Sequence, residues 1–241
     1  MLTLFILAIA PVVIIAIYLY IRDKYEREPI SVLLKGLVFG ALSTLFVIGI
    51  GFMLQKIAPS GPPMLSVFYK SFIVAALNEE AMKFLVFMIL IWRDKNFNEN
   101  FDGILYAVFI SMGFACVENI LYVMGGDFLT GIARALTAVP GHAIFGITMG
   151  YFLAKAKFSN SRRNLNLLSA LAVPVILHGI YDAILFSMKD THIGTSIVTL
   201  IVLFILFVIF LYILGFRKIN ESVESSQFKN KDQGENTGQG V

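Results

Sequence analysis

Seven stretches of this chain are long and apolar enough to cross a hydrocarbon layer about 30 Å thick, which takes roughly 20 residues of helix. They run Leu2–Ile21, Gly36–Leu54, Phe72–Trp92, Gly103–Met124, Ala138–Ala154, Leu167–Met188 and Thr195–Phe216. A backbone in lipid has no water to bond, so apolar runs of this length fold as helices. The expected fold is therefore all-α, a polytopic membrane bundle of about seven transmembrane helices. Composition agrees: 58% of residues are hydrophobic, 15% are charged, and mean hydropathy is +0.81. These values exclude a disordered chain and an ordinary cytosolic enzyme. A single cysteine, Cys116, excludes a disulfide scaffold, and a net charge of +3 makes no case for nucleic acid as a partner. The partner such a surface is built for is the lipid bilayer.

The first run ends its small-residue stretch at Ala8-Ile9-Ala10 but has no preceding Lys or Arg and continues well beyond, so it reads as a retained helix rather than a cleaved signal. Residues 1–216 form one helical bundle on this reading. The last 25 residues, 217–241, are rich in Gly, Asn, Gln, Ser and charge, and are expected to be a disordered cytoplasmic tail. Lys and Arg fix the orientation. Thirteen lie in the links after spans one, three and five and in the tail, against three in the links after spans two, four and six. By the positive-inside bias the N-terminus lies outside and the C-terminus in the cytoplasm.

Charges at bilayer depth are expensive and tend to have a task there. Span three carries Glu79, Glu80 and Lys83, span four Glu118 beside Asn119, span five His142, and span six His178 and Asp182. With the spans alternating in direction, all of these fall about 6–15 Å below the outer boundary at 1.5 Å per residue. The inner halves are almost empty of ionisable groups, apart from Asp102 at the cytoplasmic edge. Glu79 and Lys83 share a helix face, as do His178 and Asp182. A carboxylate on one imidazole nitrogen of His178 fixes its tautomer and leaves the other nitrogen for a substrate or water. Two adjacent carboxylates in a low-dielectric setting, Glu79 and Glu80, make a credible general base toward water.

Taken singly, each group has a structural reading. Glu79–Lys83 alone is equally an intramembrane ion pair, His142 alone is more often a packing histidine, and Asn119 can simply bridge helices. Gly36 with Gly40, and Gly146 with Gly150, are spaced for close helix contact. Cys116 lacks the setting of a thiol nucleophile. It is the coincidence of four segments at one depth that favours a shared site.

The chemistry narrows by elimination. There is no His-Glu-x-x-His zinc helix and no Gly-x-Ser-x-Gly nucleophile elbow. Tyr181-Asp182 and Gly125-Gly126-Asp127 echo an aspartic dyad, but Met124 stands where the second motif needs glycine and the order is reversed. Carboxylate-plus-histidine chemistry is left, with or without a metal.

Four ordered blocks carry a resemblance. Asn78-Glu79-Glu80-Ala81-Met82-Lys83 resembles the Glu-Glu-x-x-Lys motif of the PrsW family. Asp102-Gly103-Ile104-Leu105-Tyr106 with Gly113 to Tyr122 is similar to its second block, Arg134-Ala135-Leu136 with Pro140-Gly141-His142-Ala143 to its third, and Leu177-His178-Gly179-Ile180-Tyr181-Asp182 to its fourth. The resemblance implies a glutamic-type intramembrane protease of the CAAX-protease and bacteriocin-processing superfamily, in a bacterial plasma membrane. It also implies a substrate: a single-pass membrane anti-sigma factor, given its first (site-1) cut during envelope-stress signalling. The prenyl-protease members have histidine in the place of Glu118 and asparagine in the place of Asp182.

The catalytic set expected is Glu79, Glu80, His178, His142 and Glu118, supported by Lys83, Asn119 and Asp182. Glu80 is favoured as base, although sequence does not separate it from Glu79. His142 and His178 position the water or stabilise the oxyanion, with Asn119 a further donor. No cofactor is expected. The alternative is zinc, with Glu80, His142 and His178 as its candidate ligands. The alternative function is a proton- or ion-coupled transporter using the same buried groups. The near-empty inner halves and the lack of an internal repeat weigh against it.

Overall fold

The computed structural model describes residues 2–159, 162–190, 193–226 and 228–229. Among these the regular structure is all helix: α1 Leu2–Arg22, α2 Ile30–Lys56, α3 Pro63–Phe68, a π-helix Tyr69–Leu77, α4 Asn78–Leu90, α5 Asn100–Gly125, α6 Phe128–Leu136, α7 Ala138–Phe158, α8 Arg163–Lys189 and α9 Ile197–Glu224. Six helices (α1, α2, α5, α8, α9 and the run Phe128–Phe158) are long and apolar enough to span a membrane. The remaining expected span, Phe72–Trp92, is a composite of α3, the π-helix and α4 that begins earlier, at Pro63. Pro62 and Pro63 start it, because proline at the first helical turn loses no hydrogen bond there.

Bundle order follows from burial. α5 is the central helix, buried almost continuously from Phe101 to Ala115, and packs on α7, α2 and α1. α7 in turn packs on α8 and α9. α1 and α9 lie outside and present Ile14, Ile21, Val198 and Ile213 to lipid. Since lipid is as apolar as leucine, packing between such helices rests on close backbone approach through small residues. A Cβ on Gly40 would lie 2.0 Å from the Ile110 carbonyl oxygen, and one on Gly113 1.9 Å from that of Leu37, so α2 and α5 touch backbone to backbone. Gly150 meets Gly103 across α5 and α7 in the same way, with 2.1 Å to its carbonyl oxygen.

Two expectations are corrected here. The tail does not begin at 217: α9 continues as helix to Glu224, because Ile219 and Val223 recur one turn apart and are buried against the core. Ser226 Oγ donates to Glu99 Oε2, and Arg22 donates to the Asn220 side chain. Composition averaged over the segment hides that periodicity. The end of the expected tail, residues 230–241, lies outside the described residues.

Nor is the inner end empty of buried acids. Asp23, Glu28, Glu99 and Asp102 are all buried there, three of them in links that sequence counting treats as solvated. Asp102 closes a capping box with Glu99 at the start of α5, its Oδ2 accepting the Glu99 N–H at 2.7 Å. Tyr106 donates its hydroxyl to Glu28.

Burial, reinforced by the charges of Asp102 and Asp23, pushes the Glu28 carboxyl up from 4.5 to about 9. The folded protein therefore holds a proton that the unfolded chain releases. This stabilising contribution is complete below about pH 4.5 and is lost as pH rises toward about 9. The thermal unfolding midpoint in detergent should fall over that window, and Glu28→Gln should flatten the fall while keeping the acceptor for Tyr106. Gly113→Ala should destabilise by about 1–3 kcal/mol or more in the same assay, as overpacking does.

Candidate active site

The approach of the chain to the site is set by the π-helix. Its wider turns end at Asn78, whose Nδ2 donates to the carbonyls of Val47 on α2 (2.9 Å) and Val74 (3.2 Å). π-helical segments recur at functional sites because they re-aim the side chains beyond them. Here those side chains are Glu79, Glu80 and Lys83, all buried in the bundle.

Lys83 is the hub. Its Nζ lies 2.7 Å from Glu80 Oε1, 3.1 Å from His142 Nδ1 and 3.6 Å from Glu79 Oε2, and sits 4.4 Å from the centre of the Phe114 ring. An ammonium donates only, so His142 Nδ1 accepts and its Nε2–H points to Glu118 Oε2, 2.8 Å away. His178 Nδ1 donates to Glu80 Oε1 at 2.9 Å. Its Nε2 is 3.5 Å from Asp182 Oδ2 and 4.0 Å from Glu79 Oε2, both long for a hydrogen bond. Phe145 stacks on the His178 ring at 4.8 Å. The groups predicted to meet from α4, α5, α7 and α8 thus form one connected cluster.

Several expected roles change. Glu80, the favoured base, is fully enclosed, and its Oε1 is taken by Lys83 and His178. Glu79 instead lines a cavity of about 560 Å³ bounded by α2, the π-helix and α5, with Val47, Gly51, Asn78, Glu118 and Tyr122 on its wall. Both His142 nitrogens are engaged, so that ring holds neighbours in place and has no nitrogen left for an oxyanion. The carboxylate that orients His178 is Glu80 rather than Asp182, which leaves Nε2 as the loosely held nitrogen. Asn119 is turned away from the cavity. Its Nδ2 donates to Ala8 O at 3.0 Å and its Oδ1 accepts from Arg134, which makes it the helix bridge of its structural reading.

Arg134 was missed as a site residue because sequence counting placed it among outer-link cations. The signal was its place in the third resembling block, in the short helix just before α7. It bonds Glu118 Oε2 at 3.0 Å and lies over the Tyr122 ring at 4.0 Å.

Could these residues hold a metal? Glu79 Oε2 and Glu80 Oε2 are buried without a hydrogen-bond partner, and Glu79, Glu80 and His178 each bring a ligand atom within 4.8 Å of the others. Glu79, Glu118 and His142 form a second such group. Either set fits a divalent ion by donor type. The trio expected from sequence, Glu80 with His142 and His178, is not one of the convergent groups among the described residues.

Removing Lys83 leaves carboxylates and an imidazole facing one another without their shared cation. Lys83→Met should therefore cost about 3–5 kcal/mol of stability, read as a fall in the detergent unfolding midpoint, although it adds no bulk.

Comparison with known proteins agrees with the four blocks. The model of a family described as "PrsW family intramembrane metalloprotease" matches residues 28–213. The chain is 38% identical to "Protease PrsW" of Geobacillus kaustophilus (strain HTA426) over 181 residues, covering 75% of this chain and 79% of that protein. It is 37% identical over 190 residues to "Protease PrsW" of Clostridioides difficile (strain 630), with 76% and 79% covered. Against "Protease PrsW" of Bacillus subtilis (strain 168) the identity is 35% over 183 residues, with 76% and 82% covered. No solved structure matches the chain.

Proposed function

Given that the chain belongs to the PrsW family and is an intramembrane peptidase rather than a transporter, we propose that Glu79 is its general base. One observation carries this reading. Glu79 stands on the cavity wall with its side chain 11% exposed, whereas the Glu80 side chain is fully enclosed and its Oε1 is bonded by Lys83 and His178. A base has to reach the water it deprotonates, so geometry ranks the two acids before any question of proton affinity.

In this reading a water in the cavity gives its proton to Glu79 and attacks the scissile carbonyl. His178 Nε2 lies 4.0 Å from Glu79 Oε2; with Nδ1–H given to Glu80, it accepts from that water when the ring is neutral and donates to the developing oxyanion when the ring is doubly protonated. Glu80 keeps His178 and Lys83 in register, and His142 with Glu118 keeps Lys83 from drifting toward Glu79.

The family description names a metalloprotease, and Glu79, Glu80 and His178 would be the residues to hold an ion, which would supply Lewis acidity at the carbonyl. We favour reaction on the chain's own groups because the Lys83 ammonium already places a positive charge 2.7 Å from Glu80, inside that donor set.

The substrate we propose is a single-pass anti-sigma factor, cut at the outer membrane edge in a bacterial plasma membrane as the first step of envelope-stress signalling. The orientation argument supports the outer placement, since the site lies at the end of the bundle away from the Lys- and Arg-rich links.

Cleavage of a tagged single-pass anti-sigma factor, co-reconstituted with the purified protein in liposomes, tests the assignment. Glu79→Gln should lower the rate by about 10²-fold or more while leaving the unfolding midpoint near wild type. Full activity in Glu79→Gln with loss in Glu80→Gln would return the base to Glu80. Activity should also survive a strong chelator. Loss on chelation with recovery on added zinc would establish the metal-dependent form.

A further inference from the structure

Arg134 has no role in the chemistry as outlined so far, yet it is bound more closely to the site than any other charge outside the four expected helices. It projects from α6, a nine-residue helix whose N-terminus is capped by Asp127 accepting from the Thr130 N–H at 2.8 Å. Phe128, Leu129 and Leu136 of that helix are exposed, while Gly131 is buried, with Leu7 of α1 and Val123 of α5 beside it. The helix therefore has one face against the bundle, and Arg134 enters the site from it.

The guanidinium is used in three ways. Nη2 donates to Glu118 Oε2 at 3.0 Å, Nε donates to Asn119 Oδ1 at 2.8 Å, and the plane lies 4.0 Å over Tyr122. A fixed fork of two donors on a stacked plane is a geometry that lysine does not reproduce. The oxygen it holds is the same Oε2 that receives the Nε2–H of His142.

Resting on the proposed general-base mechanism, we propose that Arg134 is a positioning residue, acting through Glu118 and His142 on the Lys83 ammonium that organises the acids. Its charge compensates Glu118, which lines the cavity within reach of Glu79. Its geometry pins Oε2 where His142 needs an acceptor. With Nε2–H committed there, Nδ1 stays available to Lys83, and Lys83 stays on Glu80. Without Arg134, Glu118 is an uncompensated carboxylate on the cavity wall, free to compete for Lys83.

A double-mutant cycle tests this, with Arg134→Gln, Glu118→Gln and the pair assayed on the same liposome substrate. Gln at 118 still accepts from His142 but no longer needs a counter-charge. Arg134→Gln alone should lower kcat about tenfold or more with KM changed less than about twofold. In the Glu118→Gln background the same change should cost less than about twofold. Arg134→Lys should recover only part of the loss. An equal cost in both backgrounds, or an unchanged kcat, overturns the proposal.

Should Glu118→Gln itself abolish turnover, the 15N chemical shifts of His142, assigned through His142→Gln, decide. The Nε2–H tautomer should dominate in the wild type and become mixed in Arg134→Gln, and identical spectra overturn the role. Absence of cleavage in every form would overturn the proposed substrate instead, and the tautomer would still report on Arg134.

Discussion

An ammonium in the middle of a membrane bundle, 1% exposed, is tolerable only if its neighbours were arranged to receive it. Lys83 meets that condition through Glu80, His142, Glu79 and the face of Phe114, which come from α4, α5 and α7. Each partner is in turn held by another: Glu80 by His178 of α8, and His142 by Glu118 of α5. The burial of one cation thus fixes the relative positions of four helices, and lipid on the outside gives them no comparable reason to hold one register.

The glycine contacts make such a cluster possible. α5 is gripped on two sides at backbone distance, by α2 at Gly40 and Gly113 and by α7 at Gly103 and Gly150. Dispersion forces gain most where backbones approach this closely, which in lipid replaces the missing hydrophobic drive. The result brings Glu118 and His142, on different helices, to 2.8 Å without either side chain spanning a gap.

Much of this was legible in the sequence, and the parts that were not share a cause. The apolar runs, their alternation and the intramembrane acids and imidazoles are each visible along one helix at a time. Which of two adjacent glutamates meets the cavity depends on the helix's rotation, and here that is set by a π-helix for which Tyr69–Leu77 has no separate mark in hydropathy. Arg134 hides because a cation in a short link looks solvated until the link is seen to be a helix lying on the site. Asp23, Glu28 and Glu99 hide for the same reason at the other end of the bundle. The continuation of α9 past Phe216 is visible only as a turn-by-turn recurrence of Ile219 and Val223 within polar surroundings.

The π-helix has a consequence for how chain length can vary. Every residue added to or taken from a helix rotates the remainder of that helix by about 100°. Proline at one end and the Asn78 bond to α2 at the other clamp this stretch, so a length change between them cannot be absorbed by sliding the rod along its axis. It would appear as torsion, swinging both carboxylates and the ammonium away from their imidazoles and toward the acyl chains. The exposed link at residues 57–62 is under no such restriction, and this short, weakly marked piece of backbone is where the molecule's tolerance for insertion and deletion should be smallest.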